Sequence, residues 1–174
     1  WPQTFKIGLV YSDSTHVITA AIIDEELVLE EATGLPKPQQ IIYNYDSMGY
    51  GIFPQQESVL QSIAQIPDAV ARGYSYINTH ENLLNAGLDP MSVFELYKEG
   101  LTTEENALIL RRIGGQTQNL FWTYLSDMQR ESHQQELEDL VYAQLQKDLP
   151  ATIKKTLFGL FESIAYSESG KERL

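Results

Sequence analysis

Apolar and polar positions alternate at the start of the chain. Phe5, Ile7, Leu9 and Tyr11 are separated by Lys6, Gly8 and Val10, and a period of two places every second side chain on one face of a strand. Val17 to Ile23 is a short apolar, β-branched run that reads as a second strand. Leu27-Val28-Leu29, set between acidic pairs, reads as a third, and Ile41-Ile42-Tyr43 as a fourth. Between these two, Gly34-Leu35-Pro36-Lys37-Pro38 reads as a connection, because its prolines bring no backbone donor to a ladder. The pattern predicts a small antiparallel β-sandwich, or a portion of one, over residues 1–54.

After Pro54 the period becomes helical. Val59, Ile63 and Ile66 share a face and predict an amphipathic helix over Ser58 to Ile66. Pro67 is suited to the first position of the next helix, Val70, Tyr74, Ile77 and Leu84 continue its stripe, and Gly87 is a C-terminal stop. Asp89-Pro90 is an N-cap followed by a first-turn proline. Thr102 with Glu105, and Ser132 with Gln135, have capping-box spacing. Leu137, Leu140, Val141 and Leu145 form a further stripe, and Ile153, Leu157, Leu160, Phe161 and Ile164 the last. Gly114-Gly115 reads as a loop between two helices, since each glycine costs ~1 kcal/mol in a helix interior; a hinge is the other reading. Short connections make neighbouring helices antiparallel. One pair after another predicts a solenoid-like layer of helical hairpins, although no fixed-period repeat is visible. The expected fold class is therefore α+β, with a β-sandwich portion at 1–54 and a helical domain at 55–174.

Charge narrows the partners. With 12 basic and 24 acidic residues the 174-residue chain carries a net charge of −12. Nucleic-acid affinity rests on Lys and Arg meeting phosphates, and anionic membranes attract the same residues, so neither is expected as a partner. Cysteine is absent, which excludes disulfides, thiolate metal sites and cysteine nucleophiles. No apolar run approaches the roughly 20 residues of a membrane span. The expectation is a soluble protein, with cytoplasm, periplasm and secretion all open. The chain opens at Trp1 without an initiator Met. Ser169 and Glu172 have capping-box spacing but are followed only by Arg173 and Leu174. Both features are expected of a segment from a longer protein.

The residues that could carry chemistry do not assemble by spacing. His16, His80 and His133 are far apart in sequence. His80-Glu81 begins the zinc motif H-E-x-x-H, but Leu84 stands where the second histidine belongs. Asp13-Ser14-Thr15-His16 holds triad residue types side by side, whereas triads draw on separate elements. Asp24-Glu25-Glu26 and Glu30-Glu31 lack the loop spacing and turn glycine of a calcium site. Gly49-Tyr50-Gly51 lacks the lysine and helix start of a phosphate loop. No residue is therefore assigned a catalytic, cofactor-binding or metal-ligating role. The densest local signal is Asn44-Tyr45-Asp46-Ser47-Met48-Gly49-Tyr50-Gly51-Ile52-Phe53. Asn44 and Asp46 suit Asx turns, and flanking aromatic residues can anchor them. It predicts a rigid turn that hands the chain from sheet to helices.

Ile41 to Phe53 also resembles the asparagine–aspartate–glycine–tyrosine turn that ends the β-sandwich domain of aminopeptidase N-type zinc peptidases, the gluzincin family. The following Ile66-Pro67-Asp68-Ala69-Val70-Ala71-Arg72 is similar to the aspartate-then-arginine helix that starts that family's helical domain. Asn82 to Phe94, with Gly87-Leu88-Asp89-Pro90, and Leu101-Thr102-Thr103-Glu104-Glu105-Asn106 resemble its next helix turns. Trp1-Pro2 matches a tryptophan-containing sandwich strand. The likeness is densest over residues 41–106.

The resemblance implies that the chain is a non-catalytic C-terminal part of a zinc-dependent aminopeptidase. The family's H-E-x-x-H, its third-ligand glutamate, its exopeptidase motif and its transition-state tyrosine belong to a preceding catalytic domain. Zinc is accordingly expected in that domain of the parent and not in this stretch. In the parent, zinc polarises the scissile carbonyl and activates water, with a glutamate as general base. The implied partners are the catalytic domain, the remaining C-terminal helices and the parent's peptide substrate, whose cleft the helical domain covers. Asp68 and Arg72, at i,i+4, are expected to pair structurally. The Ile153 to Ile164 stripe is expected to be partly uncovered without its parent. A free-standing helical module that binds a peptide or protein is the alternative, and an enzyme with a site assembled from scattered residues a third reading.

Overall fold

The structure, a computed structural model, describes residues 2–174; the expectation for Trp1 lies outside them. By packing, the chain forms two compact units, Trp1–Gly87 and Leu88–Leu174. The change of period near residue 54 falls inside the first. The architecture is α+β.

The first unit is built on a three-stranded antiparallel sheet in the order β2-β1-β3. Strand β1 (Gln3–Val10) pairs with β2 (Thr15–Ile22), setting Phe5 opposite Ala20 and Ile7 opposite Ile18. The short β3 (Gln40–Ile42) lies on the other side of β1, with Ile41 opposite Leu9. Phe5, Ile7, Leu9, Ile18 and Ala20 form one buried face, and Tyr43 and Phe53 pack against it. The expected alternation in β1 is thus present, but a second sheet, which a sandwich needs, is not among the described residues. Leu27-Val28-Leu29 is not a strand. Its backbone closes local bonds instead, Glu30 N–H to Val28 and Ala32 N–H to Leu29, leading into a short turn of 3-10 helix at Glu30–Ala32.

Glu57–Gln65 winds as a 3-10 helix rather than the expected α-helix. At three residues per turn, positions i and i+3 eclipse, and Leu60, Ile63 and Ile66 are the buried residues. The expected stripe, which began at Val59, mixed two faces. Helix α1 (Ala69–Leu84) is capped by Asp68, whose carboxylate accepts from Val70 N and Ala71 N at 2.9 Å each. Pro67 therefore precedes the cap instead of opening the helix. The Arg72 guanidinium donates to the carbonyls of Ile66 and Pro67. Val70 and Leu84, expected in the stripe, are 55% and 42% exposed. The buried positions of α1 include Ser75, Asn78 and Thr79, a polar face that apolar periodicity does not register.

The second unit has four main helices: α2 (Pro90–Thr103), α3 (Ala107–Asn119), α4 (Asp127–Leu145) and α5 (Ala151–Ile164). Asp89 caps α2 with Pro90 in its first turn, as the sequence predicts. Thr102 does not open a helix. It lies inside α2, its hydroxyl returned to Glu99 O, and Asn106 caps α3. The α4 capping box is Ser126 with Gln129, not Ser132 with Gln135, and Ser132 donates to Met128 O within the helix. Gly114-Gly115 is helix interior, not a loop. Helix α3 runs on into a π turn at Leu120–Tyr124.

Helices α2 and α5 each pack against both α3 and α4. Two hairpins, α2–α3 and α4–α5, are thus stacked in two layers, with α2 beside α4 and α3 beside α5. Phe94, Tyr97, Ile113, Phe121, Leu137, Val141, Leu157 and Phe161 fill the space between them, each no more than 1% exposed. Ile153, Leu157, Leu160, Phe161 and Ile164 are all buried. The expectation that this last stripe is partly uncovered does not hold, because α3 and α4 already cover it. A short helix α6 (Glu168–Glu172) starts at Ser167, two residues before the expected Ser169 cap. No helix among the described residues is long and apolar enough to cross a membrane.

Candidate functional site

The Asn44–Phe53 segment is a hydrogen-bonded junction. Asn44 is 1% exposed and takes a left-handed φ of 54°, a conformation asparagine tolerates better than most residues. Its side chain closes the turn from both sides, Nδ2 donating to Gly49 O at 3.0 Å and Oδ1 accepting from Gly49 N at 2.6 Å. A Cβ at Gly49 would lie 3.0 Å from Asn44 Oδ1, Phe5 and Phe53. Asp46 accepts from Lys6 N, and Tyr45 N donates to Lys6 O, which ties the turn to β1.

The other end is held by α1. Asn78 is 4% exposed; its Oδ1 accepts from Phe53 N at 3.0 Å and its Nδ2 donates to Phe53 O at 3.0 Å. Asn82 Nδ2 donates to the same carbonyl at 2.9 Å. Tyr74 OH donates to Asn78 Oδ1, and burial raises the phenol's pKa. The side chains of Asn44, Asp46, Asn78 and Asn82 are thus committed to the backbone, and the junction serves as a joint between sheet and helix.

Two buried charges stand in the second unit. Lys98 is 8% exposed and reaches Glu95 at 2.9 Å and Glu136 at 2.6 Å, while Glu136 also meets His133 at 3.1 Å. Burial works against the ammonium, but the two carboxylates outweigh it and raise the Lys98 pKa, so Lys98 is a fixed cation and not a nucleophile. Glu136 is held below the ordinary carboxylate range by Lys98 and then His133. Glu138, 0% exposed, accepts from Gln134 Nε2, from the Tyr166 and Ser167 backbone N–H groups and from the Ser167 hydroxyl. Burial pushes its pKa up, yet these donors together bring it below 4.5. Glu138 was not singled out from sequence. It shares a helical face with Val141 and Leu145, so a carboxylate set beside that apolar stripe is the signal that could have found it.

The remaining candidates stay dispersed. His16 lies on β2, His80 on α1 and His133 on α4. Ser14 donates to Asp13 at 3.2 Å in the exposed β1–β2 turn, and His16 is exposed. Among the described residues no group of three His, Asp or Glu side chains could hold a metal ion, so no step through zinc is derived for this chain. A groove of about 640 Å³ runs between α3 and α5, with Arg111 and Lys155 on its sides and Gly114, Gly115 and Gly159 along it. No protein-family model and no curated protein sequence matches the chain.

Proposed function

We propose that the chain is a non-catalytic part of a zinc-dependent aminopeptidase of the aminopeptidase N type, supporting and covering the active-site cleft of a parent enzyme that removes N-terminal residues from peptides. The observation that carries this reading is the junction from Asn44 to Phe53. Its residues resemble the sheet-to-helix turn of that family, and its polar groups are spent on holding a sheet to a helix, as a scaffold requires. The stacked hairpins of the second unit fit the start of a longer helical array, and the three-stranded sheet fits a portion of a sandwich. The parent's zinc, peptide substrate and catalytic residues belong to another domain in this reading.

Reading the gene upstream of the Trp1 codon tests it. An in-frame H-E-x-x-H with a distant third-ligand glutamate is expected. The corresponding longer protein should hydrolyse aminoacyl arylamides in a chelator-sensitive way, and the 174-residue chain alone should not. An open reading frame without the motif, or chelator-sensitive turnover by the 174-residue chain, overturns the proposal.

A further inference from the structure

The charge of the chain is unevenly placed. Helices α3 and α5 carry four of its 12 cations, Arg111, Arg112, Lys154 and Lys155, and only one of its 24 acidic residues, Glu162. Among the described residues none of the four cations makes a salt bridge or side-chain hydrogen bond. In the same unit Lys98, Arg130, Lys171 and Arg173 are each paired with a carboxylate, and Lys147 is not. An acidic chain has ample carboxylates to neutralise surface cations, so a groove lined by two unpaired ones, Arg111 and Lys155, is complementary to an anionic partner.

The groove on this face has a matching shape. Arg111 and Lys155 stand at its sides, and no acidic or aromatic residue lines it. Its glycines are not demanded by packing. A Cβ at Gly115 or Gly159 would meet nothing within 4 Å, and one at Gly114 would make ordinary contacts with Thr156 and Leu160 at 3.9 and 4.0 Å. Interior helix glycines weaken a helix, and here their effect is to keep a trough open. Leu108, 78% exposed, supplies apolar surface along it, and the buried Leu160 also lines it. Nucleic acid fits poorly, because single strands are held by stacking on aromatic side chains.

We propose that the α3–α5 groove docks an acidic peptide segment with apolar side chains among its carboxylates, supplied by a partner protein. Its carboxylates meet Arg111 and Lys155, and its apolar side chains lie over the glycine trough. The proposal rests on the second unit alone and stands whether or not the aminopeptidase reading holds.

Fluorescence anisotropy of a labelled peptide of repeating Glu-Glu-Leu, titrated with the 174-residue chain, tests it. Saturable binding that weakens with salt is expected. The double variant Arg111→Glu/Lys155→Glu should weaken it by at least about tenfold. Gly115→Leu, which fills the trough without changing charge, should also weaken it, while Lys6→Glu/Lys37→Glu should leave it unchanged. Circular dichroism checks that each variant keeps its helical content. No saturable binding, or equal binding by the α3–α5 variants, overturns the proposal. So does an oligodeoxythymidylate that displaces the peptide at lower concentration. Self-association in sedimentation that Arg111→Glu/Lys155→Glu abolishes would assign the groove to a second copy of the chain and overturn it too.

Discussion

Glu138 shows what a single residue can do in this fold. It is removed from water on α4, yet it stays charged, because it gathers two backbone N–H groups, a hydroxyl and an amide. Those donors fix the chain after α5 and leave no room beside it: a Cβ at Gly170 would fall 2.5 Å from Glu138 Oε2. The carboxyl's pKa is depressed in the folded protein. Its contribution to stability is therefore fully present above the ordinary value near 4.5 and is lost as pH falls through the lower, folded value. Glu136 and Asp139 shift the same way but keep about half their side-chain surface in water, so solvent screens their share. At neutral pH Glu138→Gln should cost on the order of 2 kcal/mol, since the amide nitrogen cannot accept the Ser167 hydroxyl that Oε2 accepts, and a neutral amide oxygen is a weaker acceptor than a carboxylate for the Tyr166 and Ser167 N–H groups that share Oε1. The variant should also lose less stability than the wild type on acidification from pH 7 to pH 3. Urea titrations at both pH values check this, and parallel pH profiles for the two proteins would sink it.

At the scale of elements, the legible parts are those where burial follows apolar period. β1, the α5 stripe and the Asp89-Pro90 start all stand where the sequence puts them. The departures have definite causes. Ser126-Asp127-Met128-Gln129 and Ser132-His133-Gln134-Gln135 are both S-x-x-Q, and local pattern alone cannot choose the true start of α4. Residues 57–65 follow a period of three, which resembles 3.6 over so short a span. Helix α1 turns the amides of Asn78 and Asn82 inward because they serve the backbone of Phe53, which lies 25 to 29 residues away in sequence, while buried Ser75 bonds Ala71 O within the helix. Asn78 is the test of that element. It must donate and accept at once, to Phe53 O and from Phe53 N. Asn78→Ala should destabilise the first unit by roughly 2–3 kcal/mol, the range for leaving buried backbone groups unpaired. Asn78→Asp should fare no better, since a carboxylate accepts but cannot donate to Phe53 O. Amide exchange at residues 49–53 should rise in both variants. Retained protection there would show that the joint is held by something other than Asn78.

At the scale of the molecule, the units divide at Gly87, whereas the period of the sequence changes near residue 54. Pattern reports which local structure a segment forms, not which segment completes another's hydrogen bonds. Residues 55–87 are helical in character, yet they carry Asn78 and Asn82, on which the end of the sheet segment depends. Residues 88–174, by contrast, enclose a core of their own around Phe94, Phe121, Leu137 and Phe161. A domain of that size buries enough surface to fold alone, with stability on the order of 5 kcal/mol. Residues 88–174 expressed by themselves should therefore be helical and unfold cooperatively in urea. Residues 1–54 alone should not fold, because Phe53 loses its partners on α1 and the three short strands expose the face that Phe53 covers. Residues 1–87 should recover a dispersed amide spectrum. The reverse result, a folded 1–54 piece beside an unstructured 88–174 piece, would place the boundary at the change of period and dissolve the unit built around the junction.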